Sequence, residues 1–292
     1  MHYSSITILY NPKSTGNSKA NAEKLHKALQ HKGIESDLRP TDHAGHGEEL
    51  AYELSKASAH PLVISSSGDG GYNEVVNGAM RAKAEGADPT TGVLPSGNAN
   101  DHYKQVHEGN VVEQIVEGKR RHIDVLTVVT ETTDHTHKRY AHSYVGFGVT
   151  PEISKELNKA KLNAANEIII SLKSLLKSQP FAIRENGKKQ EYQSIVMSNL
   201  AKMSKVLGLA KKASEVDDGL FEVFALPPSK PFMFGVIVKS ATIGLRYTQQ
   251  TDKYVFTTIK KQPVQCDGEI FDIKAKATVT VGIEHRALAC VV

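Results

Sequence analysis

The first 120 residues alternate between short strand-like apolar runs and segments with helical periodicity, and a polar or glycine-rich loop joins each pair. The runs lie at residues 6–9, 34–39, 62–64 and 91–94. Apolar side chains then recur at helical spacing, as Leu25 and Leu29 do before Gly33. This alternation of strand-like and helical segments is typical of parallel strands connected by helices. We therefore predict an α/β domain of Rossmann-like type over residues 1–122.

From about residue 123 the pattern changes to alternating β-branched residues with few helical segments. Strand-like runs lie at residues 123–131, 139–147, 191–198, 220–226, 253–259 and 269–283. These runs predict a second, β-rich sandwich domain over residues 123–285, interrupted by one helix at 154–178. We expect the last strand, 286–292, to return to the first domain.

The most informative stretch is the loop that follows the strand at 62–64. Gly68, Gly70 and Gly71 surround Asp69 there, and a helix follows. Backbone without Cβ atoms at the start of a helix can approach a phosphate closely and donate N–H groups to it. An ordinary tight turn between a strand and a helix has the same glycine pattern, so the loop alone leaves both interpretations open.

Three more loops of this kind follow predicted strands, at residues 11–18, 40–47 and 95–102. Because the carboxyl ends of parallel strands lie at one edge of a sheet, we expect the loops at 11, 41, 68 and 97 to converge. Lys13 and Ser14 are candidates for contacts with phosphate oxygens. A solvated loop lysine is the alternative for Lys13.

The order of these motifs resembles the diacylglycerol kinase catalytic-domain family, which includes bacterial lipid kinases and sphingosine kinases. Its signature Gly-Gly-Asp-Gly-Thr-x-Asn-Glu-Val-x-Asn-Gly stands here as residues 67–78, with Ser67 for the first glycine and Gly71 for the threonine. Residues 95–101 resemble the family's Pro-x-Gly-Thr-x-Asn-Asp, with Asn98 for the threonine. The resemblance implies a nucleotide-binding α/β domain of the NAD kinase and diacylglycerol kinase type.

The resemblance also implies which residues contact ATP and which take part in catalysis. The implied nucleotide contacts belong to the four loops: Asn11, Pro12, Lys13, Ser14, Gly16, Thr41, Ser67, Gly68, Asp69, Gly70, Gly71, Asn73, Glu74, Gly97 and Asn98. Glu269, in an Asp-Gly-Glu motif, is implied as the base that takes the proton of the acceptor hydroxyl. Asp69 would orient the metal or the acceptor, and Asp101 would support the same network. Without the resemblance, Asp-Gly-Glu is typical of a hairpin turn.

A second family motif, Ala-x-x-x-Asp-Asp-Gly-Leu-x-x-Val, matches residues 213–223. The resemblance implies a structural Mg²⁺ held by the Asp218 carboxylate and by the backbone carbonyls of Glu215 and Leu220. Oxygen ligands suit a hard cation, although an Asp-Asp-Gly segment is also an ordinary turn. Asp124, at a strand start, is a further candidate for a supporting carboxylate.

Composition and charge add limits to this interpretation. The chain of 292 residues has a formal net charge of +4, which favours anionic ligands or an anionic membrane surface. The basic segment 200–213 is a candidate for lipid contact or a loop with solvated lysines. No apolar run reaches about 20 residues, and we expect no signal peptide. We expect a cytoplasmic protein with transient membrane association and no nucleic-acid partner; the sequence leaves a homodimer open.

These observations predict an ATP- and Mg²⁺-dependent kinase that transfers the γ-phosphate to a lipid hydroxyl, as on diacylglycerol. Two alternatives stay open. One is a kinase of a soluble acceptor, as in the related NAD kinases. The other is a non-catalytic nucleotide- or lipid-binding homologue, which Gly71 and Asn98 suggest because both replace threonines. The sequence does not distinguish diacylglycerol from a sphingoid base, phosphatidylglycerol or undecaprenol.

Overall fold

The computed structural model describes most of the chain and divides it into two compact units. The described residues are 3–14, 16–157, 170, 173–174, 177–200, 202–203, 207–208, 215–229, 235 and 249–291. The first unit is Met1–Ile123 with Arg286–Val292, and the second is Asp124–His285.

The first unit is a parallel sheet whose strands are connected by helices. Its strands β1 to β4 are Ser5–Tyr10, Asp37–Pro40, Pro61–Ser67 and Thr90–Pro95. Its helices α1 to α5 are Ser18–His31, His46–Ala57, Asp69–Ala84, Asp101–Val106 and Val111–Val116. The strand order is β2, β1, β3, β4, and Cys290 of the last strand pairs in parallel with Thr91 beyond β4. Since these pairings are parallel, the loops that follow β1 to β4 lie at the same edge of the sheet.

The core of this unit forms between the sheet and the apolar faces of its helices. Ile8 of β1 and Leu62 of β3 are buried in one cluster with Leu25 and Leu29 of α1. Burying a leucine or isoleucine side chain contributes about 1.5–3 kcal/mol. This packing holds the strand ends, and so the loops, in place.

The second unit is built from strands β5 to β18 and helix α6, Val149–Leu157. The strands are Arg121–Glu131, Thr136–Ala141, Tyr144–Gly148, Phe181–Glu185, Lys188–Tyr192, Ser194–Ser198, Lys202–Met203, Leu207–Gly208, Phe221–Leu226, Gln249–Thr251, Lys253–Thr258, Gln262–Cys266, Glu269–Ile273 and Thr278–Cys290. The ends of β5 and β18 lie in the residue range of the first unit.

The strands of the second unit form two larger sheets that share one core. One has the order β6, β5, β18, β15, β8, β9, and the other β14, β13, β10, β7, β16, β17. Phe147 of β7 and Phe256 of β15 bring the two sheets together in an edge-to-face contact with ring centroids 5.2 Å apart. The unit is therefore a β-sandwich, as the alternating pattern predicts.

Three predicted strands are each broken in the structure, and the strand predicted at 191–198 is divided at Gln193, between β9 and β10. The strand predicted at 139–147 is interrupted at His142 and Ser143, because their N–H groups donate to the carboxylate of Asp267 rather than to a neighbouring strand. The strand predicted at 269–283 is interrupted between Ile273 and Thr278, where Lys276 has a φ of 61°. A positive φ does not fit a pleated strand.

Two other predicted segments lie largely beyond the described residues. The predicted helix at 154–178 overlaps the end of α6, which begins earlier, at Val149; most of its remainder is outside the described residues. Most of the basic segment 200–213 is outside them too. Among the helices that the structure describes, none is long and apolar enough to cross a membrane.

Candidate active site

The glycine loop forms the centre of the candidate site in the first unit. Strand β3 ends at Ser67, Gly68 precedes α3, and Asp69 is the first residue of that helix. A Cβ atom added to Gly68 would lie 3.0 Å from the Cα atom of Gly97, so the two backbones touch. The N–H group of Ser96 also donates to the carbonyl of Ser67 at 3.0 Å. The loops after β3 and β4 are therefore in direct contact.

The loop after β1 joins the same edge. The N–H group of Asn11 donates to the hydroxyl of Ser18 at 3.0 Å, and that hydroxyl donates to the carbonyl of Ser66. A Cβ atom on Gly16 would collide with the carbonyl oxygen of Ser96. Thr41 follows β2, and its N–H group donates to the carbonyl of Tyr10 at the end of β1. The four loops thus meet at the carboxyl edge of the sheet.

Several polar groups of the loop after β1 are on the surface of this edge. Lys13 and Pro12 are exposed, and the N–H group of Lys13 donates to Asn11 Oδ1 at 2.8 Å. The hydroxyl of Ser14 accepts from the N–H group of Gly16 at 3.2 Å. In the fourth loop, Asn98 is exposed as well. The first loop is folded by its own side chains, and its lysine is accessible to an anion.

Asp69 connects two of the loops through its carboxylate. Its Oδ2 atom accepts from the N–H group of Asp101 at 3.1 Å, and its Oδ1 atom accepts from that of His102 at 3.2 Å. These are amides at the start of α4, where the helix leaves its N–H groups without a partner of its own. Asp69 therefore caps α4, and Asp101 is buried beside it.

Asn73 and Glu74 have structural contacts of their own. The Glu74 carboxylate accepts from the N–H groups of Gly45 at 2.8 Å and Gly47 at 3.0 Å, where α2 begins. Asn73 is fully buried, and its Oδ1 atom accepts from the side chain of Asn77 at 3.0 Å. These contacts anchor α2 and the first turns of α3. The predicted nucleotide contacts of both residues remain predictions.

In the second unit, a tight turn positions Glu269. Asp267 and Gly268 have φ values of 50° and 100° and connect β16 to β17, which is the geometry of a type I′ hairpin. The fully buried carboxylate of Asp267 accepts from the N–H groups of His142, Ser143 and Tyr144 at 2.6, 3.0 and 2.9 Å. A buried charge needs such donors. Glu269 is the first residue of β17 and is half-buried.

Asp124 supports the turn that contains the predicted metal ligands. It is fully buried, its Oδ2 atom accepts from the N–H group of Gly219 at 2.6 Å, and its Oδ1 atom lies 3.0 Å from His285 Nδ1. Within the turn, Asp218 Oδ1 accepts from the N–H group of Leu220 at 2.9 Å. The contact with His285 had no signal in the sequence, because that residue lies in a different strand and in no motif.

The donor atoms at this turn are compatible with a hard cation. Asp218 and Glu215 are exposed, and the turn offers one carboxylate with the backbone carbonyls of Glu215 and Leu220. Within the described part of the chain, no group of three or more His, Cys, Asp or Glu side chains is placed to hold a metal ion. A site made of one carboxylate and two carbonyl oxygens does not require such a group.

Two buried titratable side chains, those of His107 and Cys266, are neutral at physiological pH. Burial lowers the pKa of His107, which follows α4, to about 4. Burial also raises the pKa of the Cys266 thiol, so this residue is no thiolate nucleophile.

A parallel α/β unit with converging loops, followed in the chain by a β-sandwich, has the architecture of the NAD kinase and diacylglycerol kinase fold. The structure is similar to that of a diacylglycerol kinase from Bacillus anthracis str. Sterne, with a TM-score of 0.72, 17% identity and coverage of 100% of this chain and 97% of that one. A yeast NADH kinase complexed with NADH matches with a TM-score of 0.51 and 8% identity over 98% of this chain and 83% of that one. The predicted fold class is confirmed.

The sequence comparisons point in the same direction. Residues 5–128 match the family model of the diacylglycerol kinase catalytic domain. The diacylglycerol kinase of Bacillus subtilis (strain 168) is 25% identical over 266 residues, which are 86% of this chain and 82% of that protein. Over residues 5–128 the chain therefore resembles the diacylglycerol kinase catalytic domain, and the predicted resemblance is confirmed.

Proposed function

We propose that the protein is a lipid kinase that transfers the γ-phosphate of ATP to a hydroxyl group of a diacylglycerol-like lipid. The observation that carries this proposal is the backbone contact of Gly68 with Gly97, at the sheet edge where the four strand-end loops lie and within the region that matches the family model. Two glycine loops in backbone contact place backbone without Cβ atoms at this edge. That is the surface a polyphosphate requires.

The phosphates of ATP would lie on the loops at residues 11–16 and 67–71. Helix α1 begins at Ser18 and α3 at Asp69, so the positive ends of two helices of 14 and 16 residues are directed at this edge. The exposed Lys13 adds a cation. Gly97 and Asn98 of the fourth loop, and Thr41 of the second, would complete the nucleotide contacts.

Glu269 is the proposed general base. Its carboxylate would accept the proton of the lipid hydroxyl while the hydroxyl oxygen forms a bond to the γ-phosphorus and the bond from that phosphorus to the β-phosphate oxygen breaks, which releases ADP. The buried Asp267 holds the turn from which Glu269 projects. Asp69 and Asp101 would keep the loops after β3 and β4 in the geometry that phosphate transfer needs.

Magnesium would act in two places. Bound with ATP, Mg²⁺ offsets the negative charge of the phosphates. A second, structural ion would be held by Asp218 and by the carbonyls of Glu215 and Leu220, in the turn that Asp124 supports.

The acceptor decides between the lipid kinase and a kinase of a soluble alcohol. A lipid acceptor requires a membrane surface, and the net charge of +4 favours an anionic one. The likeness to the NADH kinase concerns the fold alone, and it keeps a soluble acceptor as the second candidate.

The test is Mg²⁺-dependent release of ADP from ATP over a panel of detergent-dispersed lipid alcohols and soluble alcohols. The wild-type protein is compared with E269Q and with E191Q, a control on the exposed strand β9. Turnover with a lipid that is lost in E269Q and kept in E191Q is the expected result. Turnover with soluble alcohols alone would favour the second candidate. ATP binding without any turnover would identify a non-catalytic homologue.

A further inference from the structure

Ser67 and Gly71 face each other across the turn between β3 and α3. A Cβ atom added to Gly71 would lie 2.7 Å from both the Cβ and the Oγ atom of Ser67. Cβ atoms in proteins essentially never lie within 3.0 Å of an atom of another residue that is not their neighbour in the chain. Since the backbone fixes the Cβ atom of Ser67, rotation of its side chain does not relieve this contact. The space between the end of β3 and the first turn of α3 therefore accommodates one side chain, and Ser67 occupies it.

The hydroxyl of Ser67 is oriented by two neighbours. Its Oγ atom lies 2.6 Å from Ser65 Oγ and donates to the carbonyl oxygen of Gly68 at 2.9 Å. A hydroxyl group has one proton, so donation to Gly68 makes Ser67 the acceptor of the Ser65 proton. Ser65 is buried, whereas Ser67 is half-buried and accessible from the loop. The Ser67 O–H group can thus turn from Gly68 to a phosphate oxygen while Ser65 continues to donate to it.

We propose that positions 67 and 71 are an either-or pair that places one hydroxyl in the glycine loop, and that Ser67 supplies it to a phosphate of the nucleotide. The role toward phosphate rests on the proposed function. Gly71 then has no side chain because Ser67 needs the space that a Cβ atom at position 71 would fill. The site keeps its hydroxyl, since Ser67 supplies it in place of a threonine at position 71. Of the two threonine replacements that suggest a non-catalytic homologue, Gly71 is then explained by Ser67, and Asn98 remains.

Four variants test the pair: S67A, G71T, the double variant S67G/G71T, and S5A as a control at the opposite end of the sheet, where Ser5 is exposed. Thermal unfolding and equilibrium binding of ATP are measured for each. S67A keeps the Cβ atom but removes the acceptor of the buried Ser65 hydroxyl, so it should unfold at a slightly lower temperature than the wild type. It should bind ATP roughly 10- to 100-fold more weakly, as expected for a lost hydrogen bond to a charged group. G71T should lower the unfolding temperature by roughly 2–10 °C through overpacking and should weaken ATP binding. S67G/G71T should regain the unfolding temperature and the ATP affinity of the wild type. S5A should keep both at the wild-type level.

Each failure has a distinct meaning. If G71T unfolds and binds ATP like the wild type, or if the double variant is no better than G71T, the two positions do not share one space and the pair is refuted. If the wild type binds ATP and S67A binds it equally well, the role of the hydroxyl is refuted alone. If the wild type does not bind ATP, the proposed function and the phosphate role fail together, while the unfolding temperatures still decide whether the space is shared.

Discussion

The Oδ2 atom of Asp69, the first residue of α3, lies 3.1 Å from the backbone nitrogen of Asp101, the first residue of α4. The Oδ1 atom of Asp69 accepts from the N–H group of His102 at 3.2 Å. The carboxylate in the first turn of α3 therefore caps α4. The side chain of Asp69 thus adds to the backbone contacts that join the loops after β3 and β4. Asp69 is a structural residue of this edge whatever further role it has with the nucleotide.

Replacement of Asp69 by alanine should therefore affect stability and nucleotide binding together. Loss of a cap costs about 1–2 kcal/mol of the free energy of unfolding, and release of the two loops should weaken ATP binding. Chemical denaturation and calorimetric titration with ATP measure the two effects. Asn110 is the matched control, because its side chain caps α5 by accepting from the N–H group of Val112 at 2.9 Å. N110A should lose similar stability and keep its ATP affinity. Unchanged ATP affinity in D69A would contradict the proposed link.

Replacement of Asp267 by asparagine should destabilise the second unit and lower turnover. Asparagine replaces one accepting oxygen by an NH₂ donor, so at least one of the three backbone N–H groups that the carboxylate now satisfies would face a donor, and the negative charge is lost. We expect a loss of roughly 2–4 kcal/mol in the free energy of unfolding. The rate of ADP release should fall as well, since the turn that carries Glu269 loses its support.

The control for this variant is D272N on the same hairpin. Asp272 makes an exposed ion pair with Lys261 at 2.8 Å, and such pairs contribute about 0–1 kcal/mol. D272N should resemble the wild type in denaturation and in turnover. A D267N protein of wild-type stability would show that the three amides do not need the charge.

Removal of magnesium should lower the unfolding temperature of the wild type if the turn at 215–220 binds the ion. A ligand that binds the folded state alone stabilises it by mass action. The shift between Mg²⁺ and chelator should vanish in D218N, which lacks the carboxylate. It should persist in E215Q, because Glu215 is expected to contribute its backbone carbonyl and its side chain is exposed. An equal shift in D218N and the wild type would place the ion elsewhere.

His107 should make stability depend on pH between about pH 6.5 and pH 4. Burial lowers its pKa from 6.5 to about 4, and its ring stacks on Tyr103 with centroids 4.8 Å apart. In this interval the unfolded chain binds a proton that the folded chain does not, so stability falls as the pH falls, by up to about 3 kcal/mol. Denaturation at a series of pH values measures the slope. H107F keeps a ring for the stack and should flatten the slope, while H31Q, at an exposed position of α1, should not. Equal slopes in H107F and the wild type would rule out this contribution.

The sequence determined the two architectures and the order of the motifs. Helical spacing in the first unit and alternation in the second specify which side chains are buried, and burial of one face is what selects an α/β layer or a sandwich. The glycine loops were predictable for a similar reason, since Gly68 and Gly97 lie directly after strands whose parallel pairing brings their ends together.

Contacts between segments far apart in the chain were decided by tertiary structure. The carboxylate of Asp267 accepts from the backbone N–H groups at residues 142–144, and that of Asp124 accepts from the N–H group of Gly219. These partners depend on the order and register of the strands, which no local sequence pattern specifies. The same holds for Ser67 and Gly71. In the sequence these two residues are separate differences from the family motif. In the structure the turn between β3 and α3 brings both positions to one space, which only one side chain can fill.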